Sequence, residues 1–263
     1  MTVYLLYLAL GAVAGVLAGL LGIGGGLIIV PMLSFTFAMQ GMDPAYILHL
    51  ALGTSLASII FTSISSLRAH HKRGGVIWPV FWKIIPGILI GTYFGSWVAS
   101  HLSTSFLKIF FGLFLLYVAT QMLLGFKPKA SHNLPGSPIM IGAGSIIGIF
   151  SSLVGIGGGT LSVPFLVFHN TVMQKAIGTS AAIGLPIALA GSSGYIIHGL
   201  GLNLPQGAFG FVYLPALAGI VAASVFTAPL GAKLAHSLPV ERLKKIFAVL
   251  LYLVGLKMLL GSL

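Results

Sequence analysis

The chain has 263 residues, of which 57% are hydrophobic and only 6% are charged, and its formal net charge is +11. A soluble domain carries about 25% charged residues, so this composition excludes a water-exposed globular protein and favours a membrane protein. The absence of cysteine excludes disulfides, thiolate metal sites and cysteine nucleophiles. The 13 Lys and Arg residues are scattered at the ends of apolar segments, which is typical of membrane orientation and argues against nucleic-acid binding.

Ten apolar segments follow one another along the chain, and all are predicted to be helical because open strands cannot span lipid. Two of them, 27–39 and 160–168, are too short to cross about 30 Å of hydrocarbon. A polar, turn-rich stretch at 127–138 is predicted to link a first repeat, 1–126, to a second repeat, 139–263. The other predicted helices lie at 3–21, 44–67, 76–99, 105–125, 139–153, 176–197, 207–231 and 243–260.

A glycine-rich string occurs once in each half of the chain. Residues 20–31 read LLGIGGGLIIVP and residues 153–164 read LVGIGGGTLSVP, and each string is followed by Gly-Thr-Ser, at 53–55 and at 178–180. Matched landmarks in the same order indicate that one unit of about half the chain is used twice. Glycine breaks at corresponding positions of two apolar halves point to the substrate site of a transporter.

The path of each glycine segment through the membrane has two interpretations. It either crosses once as a long broken helix, or turns at the glycines and returns to the side from which it came. If each half is such a hairpin followed by three crossings, 11 of the 13 Lys and Arg residues share one side, whereas the crossing alternative divides them almost evenly. The positive-inside rule favours the hairpins and places the loops near 72, 127, 170 and 238 in the cytoplasm.

The predicted fold is therefore an all-α polytopic membrane protein of two inverted repeats. Each repeat consists of a glycine-broken re-entrant helical hairpin followed by three transmembrane helices. The odd number of crossings in each half inverts the second repeat relative to the first, which is a known architecture of secondary transporters.

The glycines and hydroxyls of these strings form the candidate substrate site. Three consecutive glycines expose backbone N–H groups where a short helix begins, and helix N-termini bind anions. Hydroxyls can donate to an oxyanion. The structural alternatives are close helix packing by glycine, and hydroxyls that bond within their own helix or to a neighbouring helix. The predicted substrate-binding residues are Gly24, Gly25, Gly26, Thr54, Ser55, Gly157, Gly158, Gly159, Thr160, Ser162, Thr179 and Ser180.

The remaining polar residues restrict the chemistry. The chain has only two acidic residues, Asp43 and Glu241, which argues against a cationic substrate and against a proton relay built on buried carboxylates. His49, Lys83 and Lys175 are candidate accessory residues; for His49 and Lys83, snorkelling to the membrane interface is the alternative. The histidines have no spacing typical of a metal site, and neither a metal nor a cofactor is predicted.

An intramembrane serine protease is a remote alternative. Residues 191–194 read Gly-Ser-Ser-Gly, which has the G-x-S-G form used by such enzymes. A serine nucleophile needs a histidine within reach, and His198 is poorly placed on the same helix. An enzyme is therefore not predicted.

The doubled glycine string, the doubled Gly-Thr-Ser and the two-half organisation resemble the TauE/SafE sulfite-exporter family of membrane permeases over essentially the whole chain. The resemblance implies a multi-pass protein of the inner cell membrane that transports sulfite, sulfoacetate or another organosulfonate. We expect an exporter of a small sulfur-containing anion that works by alternating access, with the lipid bilayer as a further partner and no nucleic-acid partner. A passive anion channel is the alternative.

Overall fold

The structure is a computed structural model that describes residues 2–21, 25–124, 133–237 and 240–261. Ten α-helices and one short antiparallel strand pair account for the regular structure of these residues, so the prediction of an all-α chain is confirmed at this level. The helices are α1 (Thr2–Leu21), α2 (Gly26–Met39), α3 (Ile47–Lys72), α4 (Trp78–His101), α5 (Thr104–Leu124), α6 (Ser137–Val154), α7 (Gly159–Phe168), α8 (Met173–Gly199), α9 (Leu214–Ser237) and α10 (Val240–Leu260), and the strands are β1 (Ala208–Phe209) and β2 (Val212–Tyr213).

The outer surface of the helices is apolar. Within the described residues, α3, α5, α6 and α8 are long and apolar enough to cross a membrane. Large apolar side chains point outward, among them Trp82, Phe226 and Leu253, which are 65%, 78% and 65% exposed. A soluble monomer rarely exposes so much contiguous apolar surface, so these faces contact lipid.

Two pairs of helices run parallel and pack through glycine. Along α4 and α6, a Cβ at Gly87 would lie 1.9 Å from the carbonyl oxygen of Ile141, and one at Gly91 would lie 2.0 Å from that of Ser145. Along α1 and α9, a Cβ at Gly11 would lie 2.5 Å from the carbonyl oxygen of Ile220. Small residues that let backbones approach this closely are typical of helix packing in membranes.

Two further pairs run antiparallel. Along α3 and α8, Leu56 lies against Gly191 and Ser63 lies against Gly184, so the chains run in opposite directions. Along α5 and α10, Gly112 approaches Leu259, whereas the Thr120 and Tyr252 hydroxyls are hydrogen-bonded. In both pairs, α3 with α8 and α5 with α10, a helix packs against the helix five places later in the chain.

The short helix α2 turns back alongside α1. Its 14 residues rise about 21 Å, which is less than the hydrocarbon thickness. After its last turn, Gln40 Nε2 donates a hydrogen bond of 2.7 Å to the Tyr7 hydroxyl near the start of α1. The chain therefore returns toward the end from which α1 started. The corresponding helix α7 has only 10 residues and rises about 15 Å.

The long helices connect two ends of the molecule. At the first, which we call the Leu102 end, Thr104 Oγ1 donates to the Ala45 carbonyl at 2.6 Å and Phe211 stacks on the His49 ring. The second, which we call the Gly75 end, holds the loop between α3 and α4 and the loop before α8. The loops at 102 and 200 share the first end, and those at 73–77 and 170–172 share the second.

Two predicted segments differ from the structure or lie partly outside the described residues. The helix predicted at 207–231 begins only at Leu214. Gly207, with φ of 88°, precedes β1, and Gly210, with φ of 54°, lies in the turn of the β1–β2 hairpin. The hairpin is anchored where the Phe211 amide donates to the Tyr195 carbonyl at 3.1 Å. Of the predicted linker, residues 127–132 lie outside the described residues, and α6 begins within its last two positions, at Ser137.

Candidate functional site

The two glycine segments make the same turn at the start of a short helix. Gly25 precedes α2 with φ of 73°, and Gly158 precedes α7 with φ of 78°. The Gly158 carbonyl accepts from the amides of Leu161 and Ser162 at 3.0 and 2.8 Å, and the Gly25 carbonyl accepts from the corresponding pair of amides in α2. This left-handed conformation is disfavoured for residues with a side chain, so the glycines are required by the backbone. Gly24, the first glycine of the first triplet, lies outside the described residues.

Both short helices begin with unpaired amides. The N–H groups of Gly26 and Leu27 in α2, and of Gly159 and Thr160 in α7, donate to no acceptor among the described residues. Gly26 and Leu27 are buried, and Gly159 and Thr160 are partly buried. A buried N–H group without an acceptor costs free energy comparable to a lost hydrogen bond. The two helix N-termini are therefore suited to an acceptor that the chain does not supply, such as an anion.

The two glycine segments touch each other. A Cβ at Gly26 would lie 2.3 Å from the carbonyl oxygen of Gly155 and 3.0 Å from Ile156 Cα. The same Gly155 carbonyl accepts a hydrogen bond of 2.8 Å from Ser55 Oγ. The first Gly-Thr-Ser string, on α3, thus holds the second glycine segment against the start of α2. No side chain larger than hydrogen fits at position 26.

The serine of the second Gly-Thr-Ser string reaches the other short helix. Ser180 Oγ on α8 lies 2.6 Å from Ser162 Oγ on α7, and Ser162 Oγ donates to the Gly158 carbonyl at 2.9 Å. Because Ser162 has only one hydroxyl proton, Ser180 is the donor of the pair. The protons of Ser55, Ser162 and Ser180 are thus all committed to acceptors within the protein.

The first Gly-Thr pair holds the segment before α9. A Cβ at Gly53 would lie 2.3 Å from the carbonyl oxygen of Phe211, and the Tyr213 amide donates to Thr54 Oγ1 at 2.9 Å. We call this contact the Thr54 clasp. Thr54 accepts a hydrogen bond here and retains its own proton.

The second Gly-Thr pair makes the equivalent contact at the Gly75 end. A Cβ at Gly178 would lie 2.3 Å from the carbonyl oxygen of Gly75, and the Ile77 amide donates to Thr179 Oγ1 at 2.9 Å just before α4. We call this contact the Thr179 clasp. Thr54 and Thr179 were predicted to contact the substrate, with hydrogen bonds within or between helices as the alternative. The sequence did not identify these particular backbone partners, because they lie more than 100 residues away.

The structure places His49 at the Leu102 end, away from the other two accessory residues. His49 is 3% exposed, and its Nε2 donates to the carbonyls of Ala99 and Leu102, both at 3.1 Å. It joins α3 to the end of α4 and does not snorkel to the interface. Lys83 and Lys175 are exposed, near the starts of α4 and α8.

Four buried hydroxyl oxygens of the described residues have no hydrogen-bond partner, and sequence analysis had singled out only Thr160. Ser151 is fully buried in the last turn of α6, and its Oγ lies 3.6 Å from the position of a Cβ at Gly158. No sequence signal distinguished it, because a serine in an apolar helix ordinarily bonds to its own backbone. The other two oxygens belong to Thr92 and Thr171.

The serine-protease alternative has no support from the geometry. Ser193 Oγ donates to the Ala190 carbonyl of its own helix at 2.9 Å, and Ser192 Oγ donates to the Ala188 carbonyl at 2.6 Å. His198 Nδ1 lies 2.7 Å from the Gly194 carbonyl. These contacts pair each group with backbone and supply no serine–histidine hydrogen bond.

The chain is similar to known proteins over nearly its whole length. A family model described as "Sulfite exporter TauE/SafE" matches residues 7–258. A probable membrane transporter protein of Haemophilus influenzae is 39% identical over 98% of this chain and 99% of its own length. Probable membrane transporter proteins of Methanocaldococcus jannaschii and Bacillus subtilis (YunE) are 30% and 27% identical, each over 97% of this chain and over 95% and 97% of their own lengths. No solved structure matches the chain.

Proposed function

Because the chain belongs to the TauE/SafE sulfite exporter family of membrane transporters, we propose that it carries a small sulfur-containing anion, such as sulfite, sulfoacetate or another organosulfonate, across the inner cell membrane. The observation that carries this proposal is the pair of short helices whose first amides have no acceptor in the described chain. Amides at helix N-termini hold negatively charged groups. The proposed direction is export.

The scarcity of acidic residues supports an anionic substrate. The whole chain has two, and the one whose side chain is described, Asp43, is exposed and accepts from the Ala45 amide at 2.9 Å. A buried cation needs a paired negative charge, whereas a buried anion can be held by neutral donors and helix ends. Selection among anions then rests on the number and direction of the donors.

We propose that the two halves, 1–126 and 139–263, are inverted repeats and that the linker 127–138 is cytoplasmic. The antiparallel pairing of α3 with α8 and of α5 with α10 supports this arrangement, because equivalent helices of inverted repeats run in opposite directions. The return of α2 toward Tyr7 supports a re-entrant hairpin in the first half.

Alternating access needs one contact that closes each side of the membrane. We propose that the Thr54 clasp closes the Leu102 end and the Thr179 clasp closes the Gly75 end, and that transport opens them in turn. In this proposal Thr54 and Thr179 act on the path of the substrate, while the glycines, Ser55, Thr160, Ser162 and Ser180 surround it. Rocking of one group of helices against the other changes the clasps without moving the site between them.

A passive anion channel with the same glycine segments is the alternative. A transporter gives saturable flux that is stimulated by substrate on the opposite side, whereas a channel gives electrical conductance without exchange.

A binding panel on the purified protein in detergent tests the proposed substrate class. Sulfite, sulfoacetate, thiosulfate, taurine and acetate are compared by the shift in melting temperature. We expect stabilisation by sulfite or sulfoacetate, a smaller effect of zwitterionic taurine because its ammonium gains no partner, and no stabilisation by a cationic amine. Stabilisation by the cation alone contradicts the proposal.

A further inference from the structure

Ser151 differs from Ser145 and Ser152 of its own helix. Ser145 Oγ donates to the Ile141 carbonyl at 3.0 Å, and Ser152 Oγ donates to the Ile149 carbonyl at 2.9 Å. Ser151 is 0% exposed, yet its Oγ has no partner. Leaving a buried hydroxyl unpaired is costly, and the backbone acceptor that its neighbours use is one turn away in any helix. Among the described residues the Ser151 hydroxyl is therefore free to donate to a bound ligand.

The unpaired Ser151 hydroxyl is directed at the start of α7. Its Oγ lies 3.6 Å from the position of a Cβ at Gly158, the residue that precedes this helix with a left-handed conformation. Thr160, in the first turn, also has a buried Oγ1 without a partner. Together with the unpaired amides of Gly159 and Thr160, the two hydroxyls give four unused donors around one helix terminus.

The first half of the chain lacks both hydroxyls. The glycine strings are offset by 133 positions, so Ser151 corresponds to Ala18 and Thr160 corresponds to Leu27. At the start of α2, Gly26 packs directly against the Gly155 carbonyl. The first glycine segment thus offers backbone amides alone, and the second offers amides and hydroxyls.

We infer that the substrate anion binds at the second glycine segment, with Ser151 and Thr160 as hydroxyl ligands. The first glycine segment then makes fewer hydrogen bonds to the anion than the second. This inference rests on the proposed function. Sulfite and sulfonate groups each present three oxygens, which can use more donors than the two oxygens of a carboxylate.

The test measures the affinity of the full-length protein in detergent for sulfite and sulfoacetate by isothermal titration. Ser151→Ala and Thr160→Val should each weaken binding about tenfold or more, since a hydrogen bond to a charged group is lost. Thr160→Ser keeps the hydroxyl and should retain affinity within about threefold. The matched control is Ser152→Ala, which removes a neighbouring hydroxyl that is already bonded to the backbone.

The melting temperature of the ligand-free protein separates ligand contact from structure. Ser151→Ala removes no hydrogen bond seen in the chain, so it should leave this temperature unchanged or raised while reducing the shift caused by the anion. Wild-type affinity in both Ser151→Ala and Thr160→Val overturns the inference and leaves the proposed function standing. If the wild-type protein binds neither sulfite nor sulfoacetate, the proposed function itself is contradicted, and the inference fails with it.

Discussion

Gly158→Ala places a methyl group at the start of α7, where both the backbone and the space are restrictive. The residue has φ of 78°, and the new Cβ would lie 2.4 Å from Ile187 Cδ1 on α8. The new Cβ would also lie 3.6 Å from Ser151 Oγ, which is one of the unpaired donors.

The expected cost has two parts. The left-handed conformation costs an alanine about 1–2 kcal/mol relative to glycine. The overlap with Ile187 is with the end of a flexible side chain, so a shift of that chain adds about 1–2 kcal/mol, at the lower end of overpacking penalties. The free energy of unfolding should therefore fall by about 2–4 kcal/mol.

Gly41→Ala is the matched control for the conformational part. Gly41 also has a left-handed φ, of 69°, but a Cβ there meets nothing within 4 Å. Gly41→Ala should therefore lower the free energy of unfolding only by the backbone strain of about 1–2 kcal/mol, and it should leave transport intact. The double variant Gly158→Ala with Ile187→Val relieves part of the overlap, so it should recover stability, whereas the methyl group still blocks the donors and transport stays lost.

Unfolding is followed by melting in detergent, and transport by flux into proteoliposomes. If Gly158→Ala lowers stability no more than Gly41→Ala and transports at the wild-type rate, the close packing of α7 against α8 and the placement of the site at Gly158 are both refuted.

Other contacts give further expectations. Gly178→Ala sets a Cβ 2.3 Å from the backbone oxygen of Gly75 and should cost about 3 kcal/mol or prevent folding, whereas Gly142→Ala, with nothing within 4 Å, should not destabilise its helix. Thr179→Val leaves the Ile77 amide without its acceptor and should lower stability by about 1–3 kcal/mol in the same melting assay. Single cysteines in this cysteine-free chain should react with an impermeant reagent from outside the cell at positions 102 and 200, and from the cytoplasm at 72 and 170.

Each of these expectations has a contrary result. Equal melting temperatures of Gly178→Ala and Gly142→Ala would mean that α8 does not approach the loop at Gly75. If Thr179→Val is as stable as the wild-type protein, the Thr179 clasp does not stabilise the structure. Labelling of positions 170 and 200 from the same side would contradict the hairpin topology, because the whole of α8 separates them.

The approximate bounds of most helices were predictable from the sequence, because apolar composition and proline or glycine breaks are local signals. The predicted segment 160–168 differs from α7 by one residue, and the two short helices begin at the glycine triplets. The segment at 208–213 was not predictable in this way. Its apolar residues read as helix, and the glycines that turn it into a hairpin resemble those that pack helices elsewhere in the chain.

The contacts of the candidate site could be predicted only in part. Repetition singled out Thr54 and Thr179, but their amide partners lie 159 and 102 positions away, and the sequence carries no signal for such pairings. Ser151 was missed for the opposite reason: its special feature is the hydrogen bond that it does not make, which only the three-dimensional structure reveals.

The central claim is that the protein exchanges a small sulfur oxyanion across the membrane. Counterflow in proteoliposomes tests this most directly: vesicles preloaded with unlabelled sulfoacetate are diluted into labelled sulfoacetate at low concentration, with Gly158→Ala vesicles as the inactive control. We predict a transient, saturable accumulation of label above its equilibrium level. Preloading the vesicles with sulfite should give the same accumulation, and preloading them with a cationic amine should not. Equal uptake by loaded and empty vesicles, or accumulation driven by the cationic amine, would contradict it.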